Sequence, residues 1–231
     1  MARTQPDILK QMVLDGHEVG SHYNFHDLMF KQSKEEIRKN LNIAKESIFK
    51  ATGVEPTGFR APVFSITPDR LEIFNEIDKV FKYDSSHVLN LNQHDKSYYQ
   101  TLYPFNSISL FEFPIVPKGF AFGKAQIKSG GTFLRLFSEK IMKEVMEFNH
   151  INNFTPQLYM HPYDYLDSQE FWVPLSDFVR SKKVNNILKY LRQNQWSRLG
   201  NKSVFRKIDY LLNYFEHQGP LAKGVEILNE E

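Results

Sequence analysis

Short strand-like runs alternate with amphipathic helical stretches from Asp7 to Met160, and that alternation leaves few folds open to the chain. The helices set the frame. Ser33 followed by Glu36 is a capping-box pattern, and Ile37, Leu41, Ala44 and Ile48 recur behind it at helical spacing. Gly53 stands where a left-handed cap residue ends a helix. Ser138 opens another, with Ile141, Met142 and Val145 inward, while Ile8, Leu9, Met12 and Val13 share one side of a shorter helix that Asp15-Gly16 stops. Between these, residues 17–21, 57–62, 82–86, 107–114 and 157–160 read as strands. Thr67-Pro68-Asp69 opens a helix, Ser129-Gly130-Gly131-Thr132 reads as a glycine turn, and 87–106 as a long irregular excursion. Strands alternating with helices imply βα units and a largely parallel sheet, so the expected class is α/β.

Composition narrows the functions. With 41% hydrophobic and 24% charged residues, the 231-residue chain is neither disordered nor fibrous. The absence of cysteine excludes disulfide scaffolds, thiol nucleophiles and thiolate metal sites. The longest apolar run, Ile108 to Val116, is broken by Glu112 and Pro114 and falls short of the ~18 residues of a membrane span. Met1 to Pro6 lacks the basic-then-apolar shape of a signal peptide, which leaves the compartment open. A net charge of +2 gives no reason to expect nucleic acid. The charge is uneven, however: Arg180 to Lys207 holds nine Lys/Arg and no acid. Such a segment either touches an anionic membrane surface or lipid-linked saccharide, or forms a solvated helix face. The reading is a main domain over 1–176 with a basic helical extension, 177–231, of the same domain.

Three small constellations carry chemistry. His22 and His26 follow a strand at a spacing that converges if the chain makes a helical turn there, and paired neutral imidazoles suit zinc or a similar divalent ion. Ordinary loop histidines share that spacing, and a third ligand, usually Asp or Glu, is required. Arg60, in Phe59-Arg60-Ala61-Pro62, can orient a carboxylate, or simply sit beside a turn proline. His161 ends an apolar strand, where α/β-barrel sites are built, and suits general acid work; a histidine satisfied by a backbone carbonyl is the competing reading.

Taken in order, these segments resemble the polysaccharide deacetylases of carbohydrate esterase family 4, the NodB-homology group. Gly16-His17-Glu18-Val19-Gly20-Ser21-His22-x-x-x-His26 is similar to the family's metal-binding motif, and Arg60-Ala61-Pro62 to the motif whose arginine holds a catalytic aspartate. Tyr83-Asp84-Ser85-Ser86 resembles the segment after it. Gly130-Gly131-x-x-x-Arg135 is like a segment of the bacterial exopolysaccharide branch, and Leu158-x-x-His161 resembles the motif that protonates the leaving group. The resemblance implies a distorted (β/α)7-type barrel and a divalent metal, zinc being the expectation, held by His22 and His26. It implies His161, Arg60 and Asp84 as catalytic residues, with Tyr159 and Pro62 shaping a sugar cleft. The family's Thr-Phe-Asp-Asp strand, which supplies the base and a third metal ligand, has no counterpart before His22. Asp7 and Asp15 are the only acids ahead of Glu18. The expectation is a barrel truncated at its N-terminus, with the first strand missing and Asp27, Asp84 or Asp164 left as substitutes.

The function expected from this resemblance is metal-dependent deacetylation of N-acetylated sugars, impaired by the missing aspartates. The expected partner is an N-acetylated glycan or lipid-linked saccharide. The alternatives are a non-catalytic glycan-binding relative or fragment, and an amidohydrolase acting on small molecules.

Overall fold

The computed structural model describes residues 1–67, 70, 72–89, 109–120, 126–166, 173–180, 190 and 199–230. They divide into two compact units, Met1–Val116 with Gln218–Glu231, and Pro117–His217. The 176/177 boundary drawn from composition falls inside the second unit.

The first unit is a run of β/α units. Helix α1 (Pro6–Leu14) packs on α2 (Lys34–Thr52), whose capping box at Ser33 and left-handed Gly53 are as the sequence implies. Ile37, Leu41, Ala44 and Ile48 are the buried side chains of α2. Ile37 and Leu41 close a core with Met29, Phe59, Phe74, Ile77 and Phe81. Strands β1 (Gly58–Phe59), β2 (Tyr83–Asp84) and β3 (Phe111–Glu112) form a parallel sheet in sequence order, with α3 (Glu72–Asp78) between the first two. Ser21 adds a parallel bridge to Phe59, and Val88 one to Ile115.

The expected strands are shorter than read. Of 17–21 only Ser21 pairs, because Val19 is its one large apolar residue and little is gained by pairing the rest. The helix Leu221–Glu230 belongs to this unit: Val225 packs on Tyr83 and Phe113, and the Glu18 carboxylate accepts the Ala222 N–H at 3.2 Å. A negative charge there suits a helix N-terminus.

In the second unit, β4 (Lys118–Gly119) and β5 (Gln126–Ile127) pair antiparallel. They are followed by α4 (Gly131–Leu136), α5 (Glu139–Ile151), α6 (Pro162–Tyr165), α7 (Leu175–Arg180) and the helix Val204–Leu212. The core is Leu134, Met142, Val145, Val204 and Leu211. The expected glycine turn is instead the start of α4, with Gly130 bridged to Tyr159, the one paired residue of 157–160. Close approach explains both glycines: a Cβ at Gly130 would lie 2.1 Å from the Tyr159 carbonyl oxygen, and Gly131 sits at φ +52° against the Tyr159 ring.

No described helix is long and apolar enough to cross a membrane. Most of the basic segment, 181–189 and 191–198, and most of the 87–106 excursion lie outside the described residues. Among the described cations of that segment, Lys207 and Arg206 make internal contacts rather than facing only water. Lys207 is buried, and its ammonium donates to the Leu134 and Arg135 carbonyls, while Arg206 pairs with Glu139 at 2.9 Å.

Candidate functional site

In the first unit the two histidines do converge, though not through a helical turn. Tyr23 takes a left-handed φ of 72° and the chain continues in bends through His26. The Tyr23 side chain holds that conformation in place: it is buried against Phe59, and its hydroxyl donates to Gln32 Oε1 at 2.7 Å. The His22 and His26 ring centres are 5.2 Å apart at 67°. Two imidazoles each ~2.0–2.1 Å from one tetrahedral ion have ring centres roughly 5 Å apart, so the pair fits as two donors of a shared ion. His22 Nδ1–H donates to the Arg60 carbonyl at 2.8 Å, which leaves Nε2 as the lone-pair nitrogen. Among the described residues no group of three His, Asp or Glu side chains stands close enough to hold a metal. Neither Asp27 nor Asp84 therefore supplies the third donor. A cavity of about 290 Å³ lies beside His22, lined also by Arg3, Leu9, Gly20, Tyr23 and Ile48.

Arg60 stands at the end of β1. Its guanidinium donates to the Ser85 carbonyl at 2.9 Å and the Ser85 hydroxyl at 2.7 Å. Pro62, which is buried, opens a tight turn in which Val63 and Phe64 both take positive φ, 56° and 52°. A β-branched residue such as Val63 rarely adopts that region, and strain of this kind collects at functional loops.

Asp84 is 0% exposed and accepts from the Ser86 N–H at 2.9 Å and the Ser86 hydroxyl at 2.6 Å. Beside it in register on β3 is Glu112, whose Oε1 accepts the His87 N–H at 3.0 Å. Burial raises Asp84 above the usual carboxylate range, and burial together with the Asp84 charge raises Glu112 well above it. The two carboxyls share a hydrogen bond, so one carries a proton, and that one is Glu112.

Because folded Glu112 keeps a proton that the unfolded chain releases, stability falls as pH rises from the ordinary glutamate range through the raised folded value. A glutamine in its place would offer the same acceptor to His87 and an N–H to Asp84 without titrating. Glu112→Gln is therefore expected to match the parent in urea denaturation near pH 4 and to exceed it at pH 7. The gain is about 1.4 kcal/mol per unit of pKa elevation. An equal difference at both pH values would contradict this assignment.

In the second unit His161 caps the short helix α6, and both its backbone N–H and its ring Nδ1–H donate to Asp164 Oδ2, at 2.8 and 3.1 Å. Arg135 Nε lies 2.8 Å from Asp164 Oδ1, with the two side chains 1% and 0% exposed. Burial alone would raise Asp164, but the hydrogen bonds from His161 and the Arg135 charge hold it below the usual carboxylate range. Tyr163 stacks on the His161 ring at 4.8 Å, and Tyr159 meets it edge-on at 6.4 Å.

Residues 1–80 match the polysaccharide deacetylase family. The chain is 34% identical over 74 residues to an uncharacterised 30.6-kDa protein of Geobacillus stearothermophilus encoded in the fumA 3′ region. That match covers 32% of this chain and 28% of the relative. In three dimensions the chain is similar to a proposed polysaccharide deacetylase of Mycobacterium smegmatis, with a TM-score of 0.55 and 16% identity over 99% of this chain and 68% of that one. The likeness shows a shared (β/α)-type fold. A peptidoglycan N-acetylglucosamine deacetylase structure, Bc1960, gives a TM-score of 0.33 at 16% identity, covering 70% of this chain and 69% of that one, too low to carry an argument.

The chain thus places His22, His26, Arg60, Pro62 and Asp84 in its first unit, and Tyr159 and His161 in its second. Sequence reasoning missed Glu112 as a partner of Asp84 and Arg135 as a partner of Asp164. A lone acid inside the apolar run 108–116 was the available signal for the first. An acid three residues after His161, in the N3 position of a helix opened by Pro162, was the signal for the acceptor of the second.

Proposed function

We propose that the chain hydrolyses the acetamide of an N-acetylated glycan, releasing acetate and a sugar amine. The observation that carries this reading is the His22–His26 pair, 5.2 Å apart within the family-matched segment and tied through His22 to Arg60. His22 and His26 would hold a divalent ion, most simply zinc, which when bound supplies Lewis-acid polarisation of the acetamide carbonyl and binds the attacking water. Arg60 holds the β2 end through Ser85, and Asp84, closed off from solvent, acts as a positioning residue beneath it. His161 delivers a proton from Nε2 to the departing amine, its other nitrogen being engaged by Asp164. Tyr159 and Pro62 are the proposed sugar contacts, each within its own unit.

The expected result is acetate release from N-acetylglucosamine oligomers in the presence of zinc. His161→Ala should lower kcat by ~10²–10⁴-fold, and His22→Ala should abolish zinc binding measured by calorimetry. Undiminished acetate release by His161→Ala would overturn the assignment.

A second reading, a glycan-binding protein without catalysis, is favoured by one observation: the described residues do not bring a third ligand to the histidine pair. It predicts glycan affinity without acetate release, unaffected by His161→Ala. A screen of small amides against oligosaccharides separates both from a small-molecule amidohydrolase.

A further inference from the structure

Arg135 and Asp164 form a buried ion pair in the second unit, and its free side is turned to a half-exposed histidine. Three elements meet there. The carboxylate comes from α6, three residues after His161, and accepts both the backbone and the ring N–H of that residue on one oxygen. Its other oxygen faces Arg135, from α4, whose remaining N–H groups reach Thr132 Oγ1 at 3.2 Å and Asn201 Oδ1 at 3.3 Å. Asn201, in the turn before the helix Val204–Leu212, donates to the Tyr163 and Leu166 carbonyls at 2.6 and 2.9 Å, and so pins the turn that carries His161. Gly200 is required beside it: at φ +86° its Cβ would lie 2.3 Å from the Arg135 carbonyl oxygen. Lys207 completes the enclosure by donating to the Leu134 and Arg135 carbonyls.

On the reading of His161 as proton donor, we propose that Arg135 and Asp164 are positioning residues that hold its ring in one tautomer and one orientation. Asp164 takes the Nδ1 proton, so that Nε2 is the nitrogen that exchanges protons with a substrate. Arg135 decides which way the acceptor faces: its positive charge, 2.8 Å away at Nε, holds Oδ1 and leaves Oδ2 as the acceptor for His161. The same logic predicts the effect of Asp164→Asn. The substituted amide would turn its one oxygen to Arg135 and present its NH₂ to His161, and Nδ1, now facing a donor, would have to accept. The ring then switches to the Nε2–H tautomer, whose outer nitrogen has no lone pair to take up the second proton that makes the ring an acid.

The experiment is ¹⁵N NMR of the histidine-labelled 231-residue chain at alkaline pH, with acetate release from N-acetylglucosamine oligomers measured in parallel. The parent should show His161 with Nδ1 protonated and Nε2 bare. Asp164→Asn should show the reverse, with kcat lowered by about 10²-fold and KM unchanged. Arg135→Lys, which keeps a positive charge beside Oδ1, should retain the parent tautomer. A parent chain with His161 in the Nε2–H form, or an Asp164→Asn variant with the parent's ring-nitrogen shifts, overturns the proposal; the first of these needs no variant to fold. A kcat unchanged by Asp164→Asn although the tautomer has switched also overturns it. If the parent releases no acetate, the deacetylase reading fails, and the ring-nitrogen shifts still decide whether Arg135 and Asp164 hold His161.

Discussion

Arg135→Met is expected to lower the unfolding free energy by about 3–5 kcal/mol, the usual cost of removing one partner from a buried ion pair. Methionine fills much of the volume, so the loss is electrostatic rather than a cavity. Asp164, 0% exposed, would keep its charge with only the His161 N–H groups to balance it, and the Asn201 amide oxygen would lose its donor. Substituting both members separates the penalty of an unpaired charge from the worth of the pair. Arg135→Met with Asp164→Leu should recover most of the loss, since an apolar pair of similar volume often replaces a buried ion pair at little cost. Urea denaturation of parent, single and double variants tests this, and a double variant as unstable as the single one would show that packing around Arg135, not charge, sets the penalty.

Gly58→Ala is the second large effect, and it acts through a neighbouring strand. A Cβ at Gly58 would fall 2.0 Å from Tyr83 Cζ and 2.1 Å from its hydroxyl oxygen. The tip of a tyrosine can often swing away, but here it is anchored. The hydroxyl donates to Glu18 at 2.6 Å, the ring packs edge-on against Phe113 at 5.6 Å, and the side chain is buried. Overpacking costs about 1–3 kcal/mol, and displacing the hydroxyl from a half-buried carboxylate adds about 1–3 kcal/mol. Tyr83→Leu removes the obstruction. In that background Gly58→Ala should be nearly neutral, and an additive loss would mean that the glycine is required for its backbone and not for the tyrosine above it.

The parts of this fold that were legible in the sequence are those decided within one or two turns of chain. The Ser33–Glu36 box, the Gly53 cap, the Ser138 cap and the inward stripe of α2 depend on neighbours a few residues away, and each stands where the pattern implies. The strands were harder. Two-residue β1, β2 and β3 owe their pairing to one another, and apolar runs on either side extend the pattern past the paired residues. At the candidate site, the histidine spacing was readable, but the means of convergence was not, since a left-handed tyrosine has no local signature. Glu112 read as an interruption because its meaning depends on Asp84, 28 residues earlier and beside it only in the folded sheet. Lys207 read as one more cation of an exposed basic stretch for the same reason: the carbonyls it satisfies lie 72 and 73 residues away.

Glu18 gives the chain an order of assembly. Its carboxylate gathers Thr57, Tyr83 and the first turn of the helix Leu221–Glu230 around one point. A ribosome delivers Glu18, Thr57 and Tyr83 early, and the helix only after all of Pro117–His217 has been made. The second unit is continuous and can close as it emerges. The first, though begun sooner, waits for that helix with the apolar faces of Tyr83 and Phe113 uncovered. A nascent chain of this protein therefore passes through a stage in which its earlier-made half is the less finished one.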